Sequence, residues 1–139
     1  MNVKDSKLAD GPIVLQSAGG TIKFTGNSSY TGATSITGGV VQTDHLNALG
    51  SNSALSLSNI AGTRLEALNS LTIGSLAGGG TTGGNVVLSS GATLSTGANN
   101  TSPTYSGVIS GGGSLVKQGS GTLIFANDHT FTGSTTISN

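Results

Sequence analysis

Short apolar clusters return about every 21 residues along this chain, and a fixed period in that range constrains the fold more than any other feature. Ile73, Leu94, Leu115 and Ile137 follow one another at steps of 21, 21 and 22, and Val87 and Val108 differ by 21. The clusters are short, among them residues 55–57, 71–73, 86–88, 92–94, 107–109, 114–116 and 122–125, with Gly, Ser and Asn between them. Two or three short strands per period suit a coiled β-solenoid, in which successive turns stack equivalent apolar side chains inside and extend strand pairing along the axis. The pattern is looser before residue 70.

A longer repeat contains the shorter one. Displacing the sequence by 101 residues lays GTIKFTGNSSYTGATSITG (20–38) over GTLIFANDHTFTGSTTISN (121–139) without a gap, with seven of nineteen positions identical. The chain therefore reads as a single β-helix in three stretches: a first repeat copy at 11–38, intervening coils at 39–104 and a second copy at 105–139. Neither end looks like a natural domain boundary.

Composition decides between order and disorder. Gly, Ser, Thr and Asn make up 75 of the 139 residues, a bias usually found in loops, yet Leu, Ile, Val and Phe number 33 and the net charge is zero. A disordered chain normally has fewer of the former and more of the latter, so this one has something to bury. With three Phe and two Tyr, the core must be built from thin aliphatic layers, which favours strands. Lys23 lies between Ile22 and Phe24, and Arg64 and Glu66 flank Leu65; in a strand these charges point outward and the apolar residues inward. The one stretch with helical character, 43–49 with Leu46 and Leu49, is bounded by Gly50 and too short for a helical domain, so it reads as a loop or single turn.

Five basic and five acidic residues cannot form the Lys/Arg stripe that phosphate neutralisation requires, which argues against nucleic acid. No run of about 18 apolar residues is present to span a bilayer. Cysteine is absent, and residues 1–11 lack the apolar stretch of a signal peptide. Catalysis of the kind some β-helices perform needs carboxylates converging in a groove. Asp5 and Asp10 sit in the polar N-terminal segment, and only Asp44 and Glu66, about one coil apart, could approach each other. No catalytic site, cofactor or metal site is expected. Asp44-His45 and Asp128-His129 read as turn aspartates beside solvated histidines, since sequence neighbours in extended chain face apart. The glycine-rich stretch 78–84 lacks the Lys-Ser/Thr of a phosphate loop and reads as a plain loop. The sequons at Asn27 and Asn99 read as compositional coincidence.

Residues 105–138 closely resemble the passenger-associated transport repeat of bacterial autotransporters. The resemblance rests on Ser106, Gly107, Val108, Ile109, Ser110, Gly111, Gly113, Leu115, Lys117, Gly119, Gly121, Thr122 and Leu123, continuing through Phe131, Thr132, Gly133, Thr135, Thr136 and Ile137. Phe125 falls inside the same stretch. Residues 22–36 look like a second copy, in which Phe24, Tyr30, Thr31, Gly32 and Ile36 occupy the matching places, with Gly20 and Thr21 matching just before it. Phe131 stands where Tyr is usual, and 126–129 replaces a more common small-residue turn. The Tyr30/Phe131 position, beside Thr31/Thr132 and Gly32/Gly133, reads as an aromatic closing the core at a coil corner rather than a ligand platform.

The resemblance implies a right-handed parallel β-helix, displayed on or released from a Gram-negative cell after passage through an outer-membrane barrel. It implies a structural role supporting secretion, folding and surface display. The partners it implies are neighbouring repeats and the translocator barrel, with no nucleic acid and no membrane insertion of this segment. The alternative is an adhesin or fibre module that binds host surface or assembles head-to-tail with its own copies.

Overall fold

Apolar and polar side chains alternate within each cluster, and a strand sends alternate residues to opposite faces, so each cluster can bury one row and wet the other. The computed structural model, which describes residues 1–3 and 11–139, resolves this alternation into fourteen strands and no helix among the described residues. In chain order these are β1 (Asn2–Val3), β2 (Ile13–Phe24), β3 (Thr34–Thr43), β4 (Ala54–Leu57), β5 (Arg64–Ala67), β6 (Leu71–Thr72) and β7 (Ser75–Gly78). They continue with β8 (Asn85–Leu88), β9 (Thr93–Thr96), β10 (Thr104–Tyr105), β11 (Ile109–Gly111), β12 (Ser114–Gln118), β13 (Ile124–Phe125) and β14 (Thr135–Ser138).

Every pairing between these strands is parallel, and the result is a β-solenoid with three faces. The first face stacks the opening of β2, the opening of β3, then β4, β7, β10 and β13. The second stacks β1, the ends of β2 and β3, then β5, β8 and β11. The third is a separate sheet of β6, β9, β12 and β14. The long strands β2 and β3 serve two faces because each turns a corner, at Gly19 (φ 78°) and Gly39 (φ 72°). The chain visits the faces in a fixed order and completes about six turns, entered at Ile13, Thr34, Ala54, Ser75, Thr104 and Ile124.

The anticipated period is clearest on the first face, where Ile13 pairs Thr34, Thr34 pairs Leu55 and Leu55 pairs Leu76. The anticipated column Ile73, Leu94, Leu115 and Ile137 is corrected by the register. The actual column is Leu71, Leu94, Leu115 and Thr135, while Lys117 pairs both Thr96 and Ile137. Val87 likewise pairs Ser110 rather than Val108. Both differences are slips by two positions, which leave every side chain on its own side of the strand. Alternation therefore cannot detect them, and the lengths of the connecting turns decide.

Inside lie stacked aliphatic rows. Leu65 and Val86 are opposite each other on the second face with no exposed surface, as are Leu71 and Leu94 on the third. Each such side chain contributes about 1.5–3 kcal/mol on burial. Phe24, Tyr30 and Tyr105 are buried with them.

Side chains also fasten turn to turn. Asn59 Oδ1 accepts the N–H groups of Thr82 and Gly83, at 2.9 and 3.0 Å, from the loop one coil above. Gly83 lies so close to the turn below that a Cβ there would stand 1.9 Å from the Ile60 carbonyl oxygen. The glycine-rich stretch is a loop because packing demands small residues. Thr43 closes β3, and residues 46–49 form a single turn that buries Ala48 and Leu49 and leaves Leu46 half exposed.

Candidate functional site

Charge collects on the outside of the second face. Lys23, Gln42 and Glu66 are register neighbours on three successive coils. Lys23 Nζ reaches Asp44 Oδ2 at 3.0 Å, and Asn69 Nδ2 donates to Asp44 Oδ1 at 2.5 Å. Arg64 Nε donates to Glu66 Oε1 at 2.5 Å, and Gln42 Nε2 to Glu66 Oε2 at 2.7 Å. The Lys23 contact, aided by Asn69, holds the Asp44 carboxyl below its ordinary value. Burial alone would raise Glu66, but the bonds from Gln42 and Arg64 prevail and lower it. The two carboxylates that could have approached each other instead take separate partners and stay ionised. Neither is set up as a proton donor near neutral pH. Asp5 and Asp10 lie outside the described residues.

Of the two histidines, His129 departs from the solvated turn residue anticipated. His45 Nδ1 accepts the N–H of Asn47 within its own turn at 3.2 Å. His129 is half-buried among aromatic rings: parallel to Tyr105 with centroids 6.1 Å apart, and edge-on to Phe125 at 4.1 Å. Its Nδ1 accepts the Ile109 N–H at 3.0 Å from the coil below. Burial lowers its pKa, and the neighbouring Asp128 opposes that shift without cancelling it. The sequence held no signal for this placement, because it depends on which residue of coil five lies beneath the ring. Among the described residues no three His, Cys, Asp or Glu side chains gather as a metal site.

The repeat positions divide into inner and outer sets. In the first copy Phe24, Tyr30 and Ile36 are buried, while Gly20, Thr21 and Thr31 are exposed and the Gly32 carbonyl accepts the Ser53 hydroxyl at 2.7 Å. Tyr30 bonds Thr34 through its hydroxyl, at the corner between β2 and β3. In the second copy Gly107, Ile109 and Leu115 are buried, Leu123 and Phe131 pack partly against the core, and Gly121 and Gly133 are half-buried. Thr122, Thr132, Phe125 and Ile137 face solvent, Ile137 at 74%.

The two copies do not occupy the same angular position. Residues 20–24 run along the second face and 34–36 along the first, whereas their matches at 121–125 and 135–137 run along the first and third. The second copy is displaced by one face, so Tyr30 and Phe131 are equivalent in sequence but not in surroundings.

Lys117 is a residue whose orientation the sequence concealed. It points inward with 9% of its surface exposed, and its ammonium donates to the carbonyls of Gln118 and Gly119 at 2.5 and 2.9 Å. A long apolar stem lets a lysine occupy a core row while its head caps the strand end. Of the sequons, Asn99 is occupied on both sides of its amide, donating to Ser75 Oγ and accepting from Thr101.

A parallel solenoid whose coils are joined by side-chain hydrogen bonds sets the context for the sequence comparisons. The family model of the passenger-associated transport repeat matches residues 19–42 and 115–139. The chain carries two passenger-associated transport repeats. It is also 41% identical over 127 residues to a protein named adhesin BmaC autotransporter, from Brucella suis biovar 1 (strain 1330). That match covers 88% of this chain and 4% of the relative, so the chain spans a small fraction of the protein it resembles. No solved structure matches it. The passenger-associated transport repeats place the chain outside a Gram-negative cell, secreted or at its surface.

Proposed function

We propose that this chain is a structural stretch of an autotransporter passenger that supports secretion, folding outside the cell and surface display. The observation that carries the proposal is that each coil offers the next a parallel ladder in fixed register. On the second face, for example, Arg64 to Ala67 receive Asn85 to Leu88 one for one. A folded coil thus presents an open edge on which the next coil pairs, and each pairing opposes backsliding through the barrel. The partners on this reading are the adjoining repeats and the translocator barrel. On this reading the role is mechanical rather than enzymatic, and it is supported by Asp44 and Glu66 each bonding a neighbouring coil.

The test places the segment in a displayed passenger and introduces Leu65→Asp, which puts a charge in the core. Surface exposure, measured by protease shaving and normalised to the inserted barrel, is expected to fall several-fold. Undiminished display of a passenger whose segment is unfolded by circular dichroism would sink the proposal.

A second reading is favoured by the relative's name: the segment belongs to an adhesin. On this reading the outer rows of hydroxyls, such as Ser35 and Ser56 at 3.1 Å, form the contact surface. Removing outward side chains without unfolding the solenoid would then reduce cell binding and leave display intact. The fibre version predicts concentration-dependent filaments of the isolated chain, visible by electron microscopy.

A further inference from the structure

The seam between coils five and six contains a substitution in the hydrogen-bond ladder. One coil lower, Val86 donates its N–H to the backbone carbonyl of Val108 at 2.9 Å. Ile109, the register partner of Val86, donates its N–H upward to His129 Nδ1 instead of to a backbone carbonyl. A ring nitrogen thus takes the place of a peptide oxygen. Around it the ladder resumes, with Thr130 N–H donating to the Ile109 carbonyl and Thr132 N–H to the Gly111 carbonyl, both at 2.9 Å.

We propose that His129 is an acid-sensitive latch holding the sixth coil to the fifth, which opens when the imidazole takes up a second proton. The geometry fixes the tautomer. Nδ1 accepts a hydrogen bond, so the neutral ring carries its proton on Nε2, which is buried without a protein partner. Protonation at Nδ1 would set an N–H against the Ile109 N–H, with Nε2 still enclosed and without a partner. The groups facing the ring are few. Tyr105 lies parallel to it, and burial raises that phenol's pKa, so it stays neutral throughout acid conditions. Phe125 and Phe131 carry no charge. Asp128 is an exposed sequence neighbour that partly favours the cation, but burial of the ring outweighs it. Opening the seam returns the ring to water, where it binds a proton at about pH 6.5. The opening constant therefore rises by up to about tenfold per pH unit between that value and the lower pKa of the closed state.

The experiment is hydrogen exchange of the whole chain across a pH series, corrected for intrinsic exchange. Protection of the Ile109 amide and of residues 126–132 is expected to fall below about pH 6.5, while that of β5 and β8 stays level. His129→Gln supplies a non-titrating acceptor and is expected to keep protection near neutral pH and abolish the acid response. His45→Gln should change nothing, since His45 bonds only within its own turn. An acid response that survives in His129→Gln, or disappears in His45→Gln, overturns the proposal. Should His129→Gln fail to fold, nitrogen NMR of the parent chain decides: a neutral ring protonated on Nδ1, or a pKa at or above the ordinary value, overturns it as well.

Discussion

The Tyr30 hydroxyl lies 2.7 Å from Thr34 Oγ1, and Thr34 in turn lies 2.8 Å from Ser53 Oγ, which donates to the Gly32 carbonyl. This buried relay joins the first coil to the second at a single corner. Tyr30→Phe removes one member and leaves Thr34 with Ser53 as partner. The expected cost is about 1 kcal/mol, read from urea unfolding, because one buried hydrogen bond is lost without stranding its acceptor. A cost beyond about 3 kcal/mol would mean that the relay acts as a unit.

Core and surface aliphatics separate clearly in this fold. Leu65 is fully buried, whereas Ile60 is 53% exposed. Leu65→Ala is expected to cost about 2–5 kcal/mol and Ile60→Ala less than about 0.5 kcal/mol in the same assay. Similar values for the two would contradict the inward direction of the β5 row.

Two glycines test different constraints. Gly62 has φ +82° with no atom near its missing Cβ, so Gly62→Ala should cost about 1–2 kcal/mol from backbone conformation alone. Gly83→Ala instead drives a methyl group into the Ile60 carbonyl and must separate two coils. It is expected to melt well below Gly62→Ala by calorimetry. Equal melting temperatures would show that the loop yields freely.

Acid should weaken the solenoid in two ranges. His129 has a lowered pKa when folded, so the unfolded chain binds the proton first, and stability falls as pH drops below about 6.5. Glu66 and Asp44 are also lowered. Their contribution is present above their ordinary values of 4.5 and 3.8 and is lost as pH falls through the folded values. Glu66→Gln should remove part of the lower step and leave the upper one. Added salt should weaken the solvent-accessible Lys23–Asp44 pair. Melting temperature against pH at two ionic strengths checks both statements.

The solenoid could be read from particular residues. Lys23 between Ile22 and Phe24, and Leu65 between Arg64 and Glu66, announced strands with one dry side. What alternation could not convey was register, because Ile73 and Leu71 both face inward and either could stack on Leu94. Turn lengths chose Leu71, where a strictly uniform period would have set Ile73. The repeat residues were visible as a pattern, yet their surroundings were not. A uniform rise gave no reason to expect Tyr30 and Phe131 at different corners, one between β2 and β3 and the other between β13 and β14. His129 and Lys117 were illegible for a related reason: what a ring or a long stem touches depends on the neighbouring coil, a full turn away along the chain.

Each described coil pairs its strands only with the coils directly above and below. Damage in such a molecule stays where it occurs. A protease cut in the loop at 79–84 would loosen the coils bordering it, while more distant coils keep both of their neighbours. A surface stalk made this way erodes from its breaks instead of collapsing, so the length that survives is set by where it is cut.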